Sequence, residues 1–270
     1  MLLPASYLNG FAPRDGQPLY PSLWTGCVGA WNPGLGPSGL TLRDWSGRGI
    51  HGVLTNGPTW TTSGGSHALS MDGSNDVVVV PANNALNLTS GITVAAWIYP
   101  TAVGGGYKII CCKRIGGAAP TACNYQLNLH TTAGALEWYD LTERISSYVP
   151  PLNNWTLVGG TVTAAGRLDL WANGISVYNT TGISQTSNAA ELLIGARPLD
   201  YSEAFLGRMG EVRVYNRPLL ASEWKLLNSR RGIAYEMAPR RRSSAQVTVA
   251  PLRYNLFSGS IGNTDVIGAS

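Results

Sequence analysis

Leu-Asp-Leu-Trp-Ala-Asn-Gly-Ile (168–175), Leu-Leu-Ile-Gly (192–195) and Phe-Leu-Gly-Arg-Met-Gly-Glu-Val-Arg-Val-Tyr-Asn-Arg-Pro-Leu (205–219) follow one another closely. Each is a short apolar run, punctuated by Asn173-Gly174 or by single glycines. An Asn-Gly between two strand-like runs predicts a tight hairpin, because both central residues of the favoured turn need positive φ. Strands this short with turns this close belong to an antiparallel sheet rather than to strand–helix–strand units.

The same rhythm extends upstream. Ile-Thr-Val-Ala-Ala-Trp-Ile-Tyr-Pro (92–100) alternates with period two, placing Ile92, Val94, Ala96 and Ile98 on one face and Thr93, Ala95 and Trp97 on the other. Further strands are expected at 26–31, 107–112, 125–130, 135–139 and 155–162, with turn signals between them, which is the pattern of a sandwich or barrel. One helix is expected after Pro218, with Leu220, Trp224 and Leu227 on one stripe and Gly232 as its stop.

Composition agrees. Of 270 residues, 44% are hydrophobic and only 13% charged, against about a quarter in an average globular chain. Nine Trp and twelve Tyr outweigh three Phe, and 33 glycines supply turns. Such a chain suits a β-sandwich with an uncharged polar surface, a surface that fits either carbohydrate or a permanent protein partner. From Trp224 to Ser270 there are seven basic residues and only two acids, so the net charge of +4 belongs to the C-terminal segment. Pro4, Pro13, Pro18 and Pro21 forbid a long helix at the start. These features predict an extended N-terminal arm (1–25), a sandwich (26–232) and a basic C-terminal arm (233–270).

The first residues lack a basic start and a long apolar run, so no secretion signal is expected, and no stretch is long enough to span a bilayer. Cys27, Cys111, Cys112 and Cys123 have no zinc-like spacing; they read as buried free thiols, with a Cys112–Cys123 bridge as the other option.

The order of motifs resembles the laminin-G-like, concanavalin A-like family over roughly residues 26–230. The matching pieces are Asp-Trp-Ser-Gly…His-Gly-Val-Leu (44–54), Met-Asp-Gly-Ser-Asn-Asp-Val (71–77), Ala-Ala-Trp-Ile (95–98), Asn-Trp-Thr-Leu-Val (154–158), Trp-Ala-Asn-Gly (171–174), Leu-Ile-Gly (193–195) and Gly-Glu-Val-Arg-Val-Tyr-Asn-Arg-Pro-Leu (210–219). The resemblance implies an all-β, two-sheet antiparallel jelly-roll sandwich, here with one short C-terminal helix and extended terminal arms. It also implies a structural Ca²⁺ held by Asp44 and an acid before the last strand, where this chain has Glu211 after Gly210 instead of the usual aspartate. Asp44 capping a turn through its side chain is the competing reading. No other cofactor is expected.

Hydrolytic relatives resemble one another in a Glu-x-Asp-x-x-Glu strand. Glu137, Asp140 and Glu143 are a near miss, since residues three apart on a strand point to opposite faces; they read as solvated loop carboxylates. No catalytic residues, and no enzymatic activity, are therefore expected.

Two functional expectations follow. The ends, Tyr7 to Gly16 and Arg231 to Arg242, resemble those of phage-type virion proteins. That resemblance implies an auxiliary virion subunit, such as a capsid decoration or head or tail surface protein. It would be made in the host cytoplasm, self-associate, and dock a capsid protein through Arg240, Arg241, Arg242, Tyr7, Phe11 and Tyr20. The arginine run suits an acidic partner surface better than nucleic acid, and no membrane partner is expected. The alternative is a lectin-like adhesion module that stacks glycans on Trp138, Tyr139 and Tyr201.

Overall fold

The structure, a computed structural model, describes residues 17–115, 123–198 and 200–238. In chain order the strands are β1 (Cys27–Trp31), β2 (Thr41–Leu42), β3 (Gly52–Thr55), β4 (Thr59–Ser63), β5 (Ser66–Asp72), β6 (Val77–Val80), β7 (Ile92–Pro100) and β8 (Lys108–Arg114). They continue with β9 (Cys123–Leu129), β10 (Leu136–Tyr139), β11 (Glu143–Ile145), β12 (Thr156–Val162), β13 (Leu168–Ala172), β14 (Ile175–Thr180), β15 (Leu192–Ile194) and β16 (Leu206–Tyr215). One helix, α1 (Ala221–Ser229), follows.

Two eight-stranded antiparallel sheets stack face to face. The first runs β14-β13-β12-β7-β16-β5-β4; β1 also pairs with β16, beside its second half, while β5 takes the first half. The second runs β11-β10-β9-β8-β15-β6-β3-β2. The expected hairpin joins β13 to β14: Ala172 pairs with Ile175, and Asn173 and Gly174 take φ of 48° and 77°. The period-two reading of β7 also holds. Ile92, Val94, Ala96 and Ile98 lie in the main core between the sheets, with Leu127, Leu129, Leu136 and Trp138 opposite, while Ala95 and Trp97 face the other way.

That other face carries a second apolar layer. α1 and two short 3₁₀ segments, Pro21–Trp24 and Ile233–Tyr235, cover the back of the first sheet with Leu23, Trp224, Leu227, Ile233 and Ala234, over Ala95, Trp97, Leu157 and Tyr215. Trp224 stacks on Trp171 with centroids 5.5 Å apart and planes 8° apart. The helix begins where expected, and the Glu223 carboxylate accepts the Leu220 N–H at 2.9 Å. Leu220, however, is 66% exposed: it precedes the first turn and so falls off the stripe formed by Trp224 and Leu227.

The described parts of the two expected arms, 17–25 and 233–238, pack on the sandwich. Residues 17–25 and 233–238 pair with each other: Leu19 N–H donates to the Glu236 carbonyl at 2.6 Å and Ala238 N–H to the Gln17 carbonyl at 2.8 Å. The Trp24 indole N–H reaches the Ala234 carbonyl at 2.8 Å. Pro-rich sequence forbids a long helix here, but a 3₁₀ turn starting at Pro21 is compatible with proline and buries Leu23. Residues 1–16 and 239–270 lie outside the described residues. The four cysteines are free and buried, and among the described residues no helix is long and apolar enough to cross a membrane.

Candidate functional site

The loop from Ser38 to His51 leaves β1, forms the two-residue edge strand β2 and returns to β3. Asp44 organises it. The Asp44 side chain is buried, and its Oδ1 accepts the N–H groups of Ala30 at 3.0 Å and Ser46 at 2.9 Å. Its Oδ2 accepts the Ser46 hydroxyl at 2.8 Å and the Ile50 N–H at 3.0 Å. Asp44 N–H in turn donates to His51 Nδ1 at 3.0 Å. With Asp44 turned inward, its chain neighbours Arg43 and Trp45 are turned out, and both are exposed.

The result is an open groove of about 500 Å³ lined by Ser38, Thr41, Arg43, Asp44, Trp45 and His51, within the size range of small-ligand sites. Trp45 is 44% exposed, and its ring meets that of Tyr235 edge-on with centroids 6.4 Å apart. A second groove of about 350 Å³ is lined by Asn83, Asn84, Asn87, Ala82 and Ala189; Asn83 is committed to the Ala85 N–H.

This arrangement corrects the expected Ca²⁺ pair. All four lone-pair positions of the Asp44 carboxylate are taken by protein donors, so it serves as a loop organiser and not as a ligand. Glu211 is buried and pairs with the Arg213 guanidinium at 2.7 Å. Ca²⁺ needs six to eight oxygens, and the described residues contain no cluster of three or more acidic, Cys or His side chains fit for a metal.

Of the expected stacking aromatics, Trp138 is corrected as well. Trp138 is 1% exposed and packs in the main core beside Leu136, two residues before it on the same face. Tyr139 points the other way, but the Arg114 guanidinium lies over its ring at 5.2 Å. Tyr201, held at φ 53°, packs on the cluster of Val77, Leu193, Ala196 and Ala204. Trp138 is thus out of reach of a ligand, and Tyr139 and Tyr201 are each partly covered by their own chain, whereas Trp45 lines the groove. Tyr20 is partly buried against the second apolar layer of its own chain. Tyr7, Phe11, Arg240, Arg241 and Arg242 lie outside the described residues.

The carboxylates of the near-miss motif are not solvated loop groups throughout. Glu137 is fully buried on the outer face of the second sheet, at the end of a side-chain chain. Cys112 S–H donates to Gln126 Oε1, Gln126 Nε2 to Asn128 Oδ1, and Asn128 Nδ2 to Glu137 Oε2 at 2.6 Å. Glu137 Oε1 has no hydrogen-bond partner among the described residues. Burial, reinforced by Glu143 and Glu203 and opposed by the Asn128 hydrogen bond, raises its carboxyl to about 7. Asp140 is buried and engaged by Arg144 at 3.4 Å and the Ser184 N–H at 3.1 Å. Glu143 accepts the Tyr107 hydroxyl, which raises the Tyr107 phenol.

The sign of the Glu137 effect follows from linkage. A carboxyl raised on folding holds its proton more tightly in the folded state, so stability falls as pH climbs from the unfolded value near 4.5 through about 7. Glu137→Gln is expected to flatten that decline and to be more stable than the parent at pH 8 by roughly 2 kcal/mol. Urea unfolding at pH 5 and pH 8 measures both; identical pH profiles for the two proteins would show that Glu137 ionises freely.

A family model described as the concanavalin A-like lectin/glucanases superfamily, Laminin_G_3, matches residues 72–223. Among solved structures, the chain is similar to the binding domain of Paraclostridial Mosquitocidal Protein 1, with TM-score 0.61 and 18% identity, over 76% of this chain and 52% of that one. It is similar to Domain 4 of AbnA, a GH43 extracellular arabinanase from Geobacillus stearothermophilus solved with arabinotriose, with TM-score 0.57 and 16% identity, over 74% of this chain and 96% of that one. It is also similar to Trypanosoma rangeli sialidase, with TM-score 0.59 and 14% identity, over 76% of this chain and 32% of that one. The match thus spans about half of the mosquitocidal domain and a third of the sialidase. At these identities the likeness is one of fold. A sequence search of curated proteins gives no match.

Proposed function

Because this chain belongs to the concanavalin A-like lectin/glucanases superfamily, we propose that it is a non-enzymatic carbohydrate-binding module that holds a sugar ring against Trp45. The observation that carries this reading is the exposed indole in a polar-walled groove. An indole presents a flat apolar face with a polar edge, and the hydroxyls of Ser38 and Thr41, the Arg43 guanidinium and the His51 imidazole surround it. The groove is open to solvent, which suits recognition of a saccharide from one side. The similar arabinanase domain, solved with arabinotriose, lends the reading support from outside the chain.

The non-enzymatic part rests on the carboxylates. Double displacement needs two carboxyl groups facing one substrate about 5–5.5 Å apart. Here Glu137 is shut away from solvent, and Asp140 is tied to Arg144 and the Ser184 N–H. The expectation of a virus-particle subunit takes second place. Its docking residues lie outside the described part of the chain, except Tyr20, which packs on its own protomer.

Titration of the full chain against an oligosaccharide array tests the proposal. Trp45→Ala is expected to weaken whichever glycan binds by about tenfold, equivalent to about 1.4 kcal/mol, with the β-sheet circular dichroism spectrum retained. Binding that survives Trp45→Ala intact would place the site elsewhere, and absence of any glycan bound by the parent protein would remove the reading.

A further inference from the structure

We propose that the Trp45 groove selects saccharides carrying a carboxylate, with Arg43 as the group that grips it; this rests on the glycan-binding reading. The groove lining contains one acid, Asp44, and its carboxylate is buried and consumed by four protein donors. It therefore presents no acceptor to a ligand. Arg43 is exposed and makes no hydrogen bond or ion pair with another described residue. His51 accepts the Asp44 N–H on Nδ1, which fixes the ring hydrogen on Nε2, leaving a donor at an exposed position of the same lining. The Ser38 hydroxyl gives its proton to the Thr41 carbonyl.

The strongest polar groups on this surface are thus donors, one of them a permanently charged fork beside an aromatic ring. A guanidinium matches a carboxylate with two parallel N–H···O bonds, and such charge-assisted bonds are roughly twice as strong as neutral ones. A neutral sugar would satisfy the ring face of Trp45 but leave that fork to solvent. A sugar with a ring carboxyl, such as a uronic or nonulosonic acid, would satisfy both at once. The inward turn of Asp44 serves this selectivity, since an outward carboxylate beside Arg43 would compete for the guanidinium and repel the ligand.

The test is calorimetric titration of the full chain with oligosaccharides bearing galacturonate, glucuronate or sialate. Their carboxyl-reduced neutral counterparts and a sulfated galactan oligosaccharide are titrated beside them. The parent protein is expected to bind at least one carboxylated probe about tenfold tighter than its reduced counterpart, and to lose that advantage in high salt. Arg43→Gln is expected to remove the advantage, so that the acidic and reduced probes bind it alike, and Trp45→Ala to weaken both. Equal affinity for acidic and reduced probes, both sensitive to Trp45→Ala, would overturn the selectivity and leave the glycan reading standing. Tighter binding of the sulfated probe than of every carboxylated one would overturn carboxylate recognition in favour of charge alone. Failure of every probe would overturn both readings.

Discussion

Gly159→Ala is expected to destabilise the protein by about 3 kcal/mol or more, the upper end of what overpacking costs. Gly159 and Gly160 are consecutive residues of β12, near the middle of the first sheet, and their absent side chains lie on opposite faces. On the outer face, a Cβ at Gly159 would fall well inside van der Waals contact of the Trp224 ring and of the Val94 carbonyl on the neighbouring strand β7. The Trp224 ring has little room to yield: it is fully buried, stacks on Trp171 and donates its indole N–H to Thr161 at 3.1 Å. On the inner face, a Cβ at Gly160 would collide with the Trp138 ring, which is fixed in the main core. Each glycine therefore makes space for one tryptophan, one in each apolar layer. Urea unfolding of Gly159→Ala, Gly160→Ala and the pairs Gly159→Ala/Trp224→Leu and Gly160→Ala/Trp138→Leu forms two cycles. Within each cycle the double variant is expected to lose less than the two single losses added together. A Gly159→Ala protein within about 0.5 kcal/mol of the parent would show that the helix layer tolerates displacement.

The Asn173-Gly174 hairpin and the alternation of β7 were visible in sequence, because each is a local pattern that survives tertiary packing. The same period could have placed Trp138, which shares the face of Leu136 and so belongs to the core. Composition alone suggests a surface aromatic at this position, and strand phase assigns it to the interior. Trp45 was harder to read. The strand beside it is two residues long, too short for a period, and its outward direction is set by where Asp44 finds its four donors. The outer layer was least legible of all. Residues 17–25 carry little periodicity, and their partners at 233–238 lie at the far end of the described chain, so no local pattern announces the pairing. Glu137 shows the same limit: nothing near it in sequence reveals that β9 brings Asn128 alongside and closes it from water.

Arg213→Met is expected to cost about 3–5 kcal/mol, and to loosen both described terminal segments before the sandwich itself unfolds. Arg213 lies on β16 and is 1% exposed. One amino group donates to Glu211 Oε1 at 2.7 Å and the other to the Leu23 carbonyl at 2.6 Å. Its guanidinium carbon sits 4.4 Å from the Trp24 ring centroid, 5.5 Å from that of Tyr215 and 5.6 Å from that of Tyr235. One side chain thus joins the 3₁₀ turn before β1, the last strand and the 3₁₀ turn after α1. Methionine keeps much of the apolar stem but leaves the Glu211 carboxylate buried without its partner, and that uncompensated charge is the main source of the loss. The Leu23 carbonyl still has the Tyr215 hydroxyl at 3.0 Å, so its share is smaller. Pairing Arg213→Met with Glu211→Leu removes the stranded charge and is expected to recover more than half of the stability, since a buried ion pair replaced by apolar groups is often close to neutral. Cation–π contact with three rings is lost in both variants, so full recovery is not expected. Amide hydrogen exchange separates the two effects. Protection at Leu19, Leu23 and Ala238 is expected to fall in Arg213→Met ahead of that in β7 and β12. Uniform loss across the chain would mean that the outer layer and the sandwich open as a single unit, and a double variant as unstable as the single one would mean that Arg213 acts through its rings and the Leu23 carbonyl and not through Glu211.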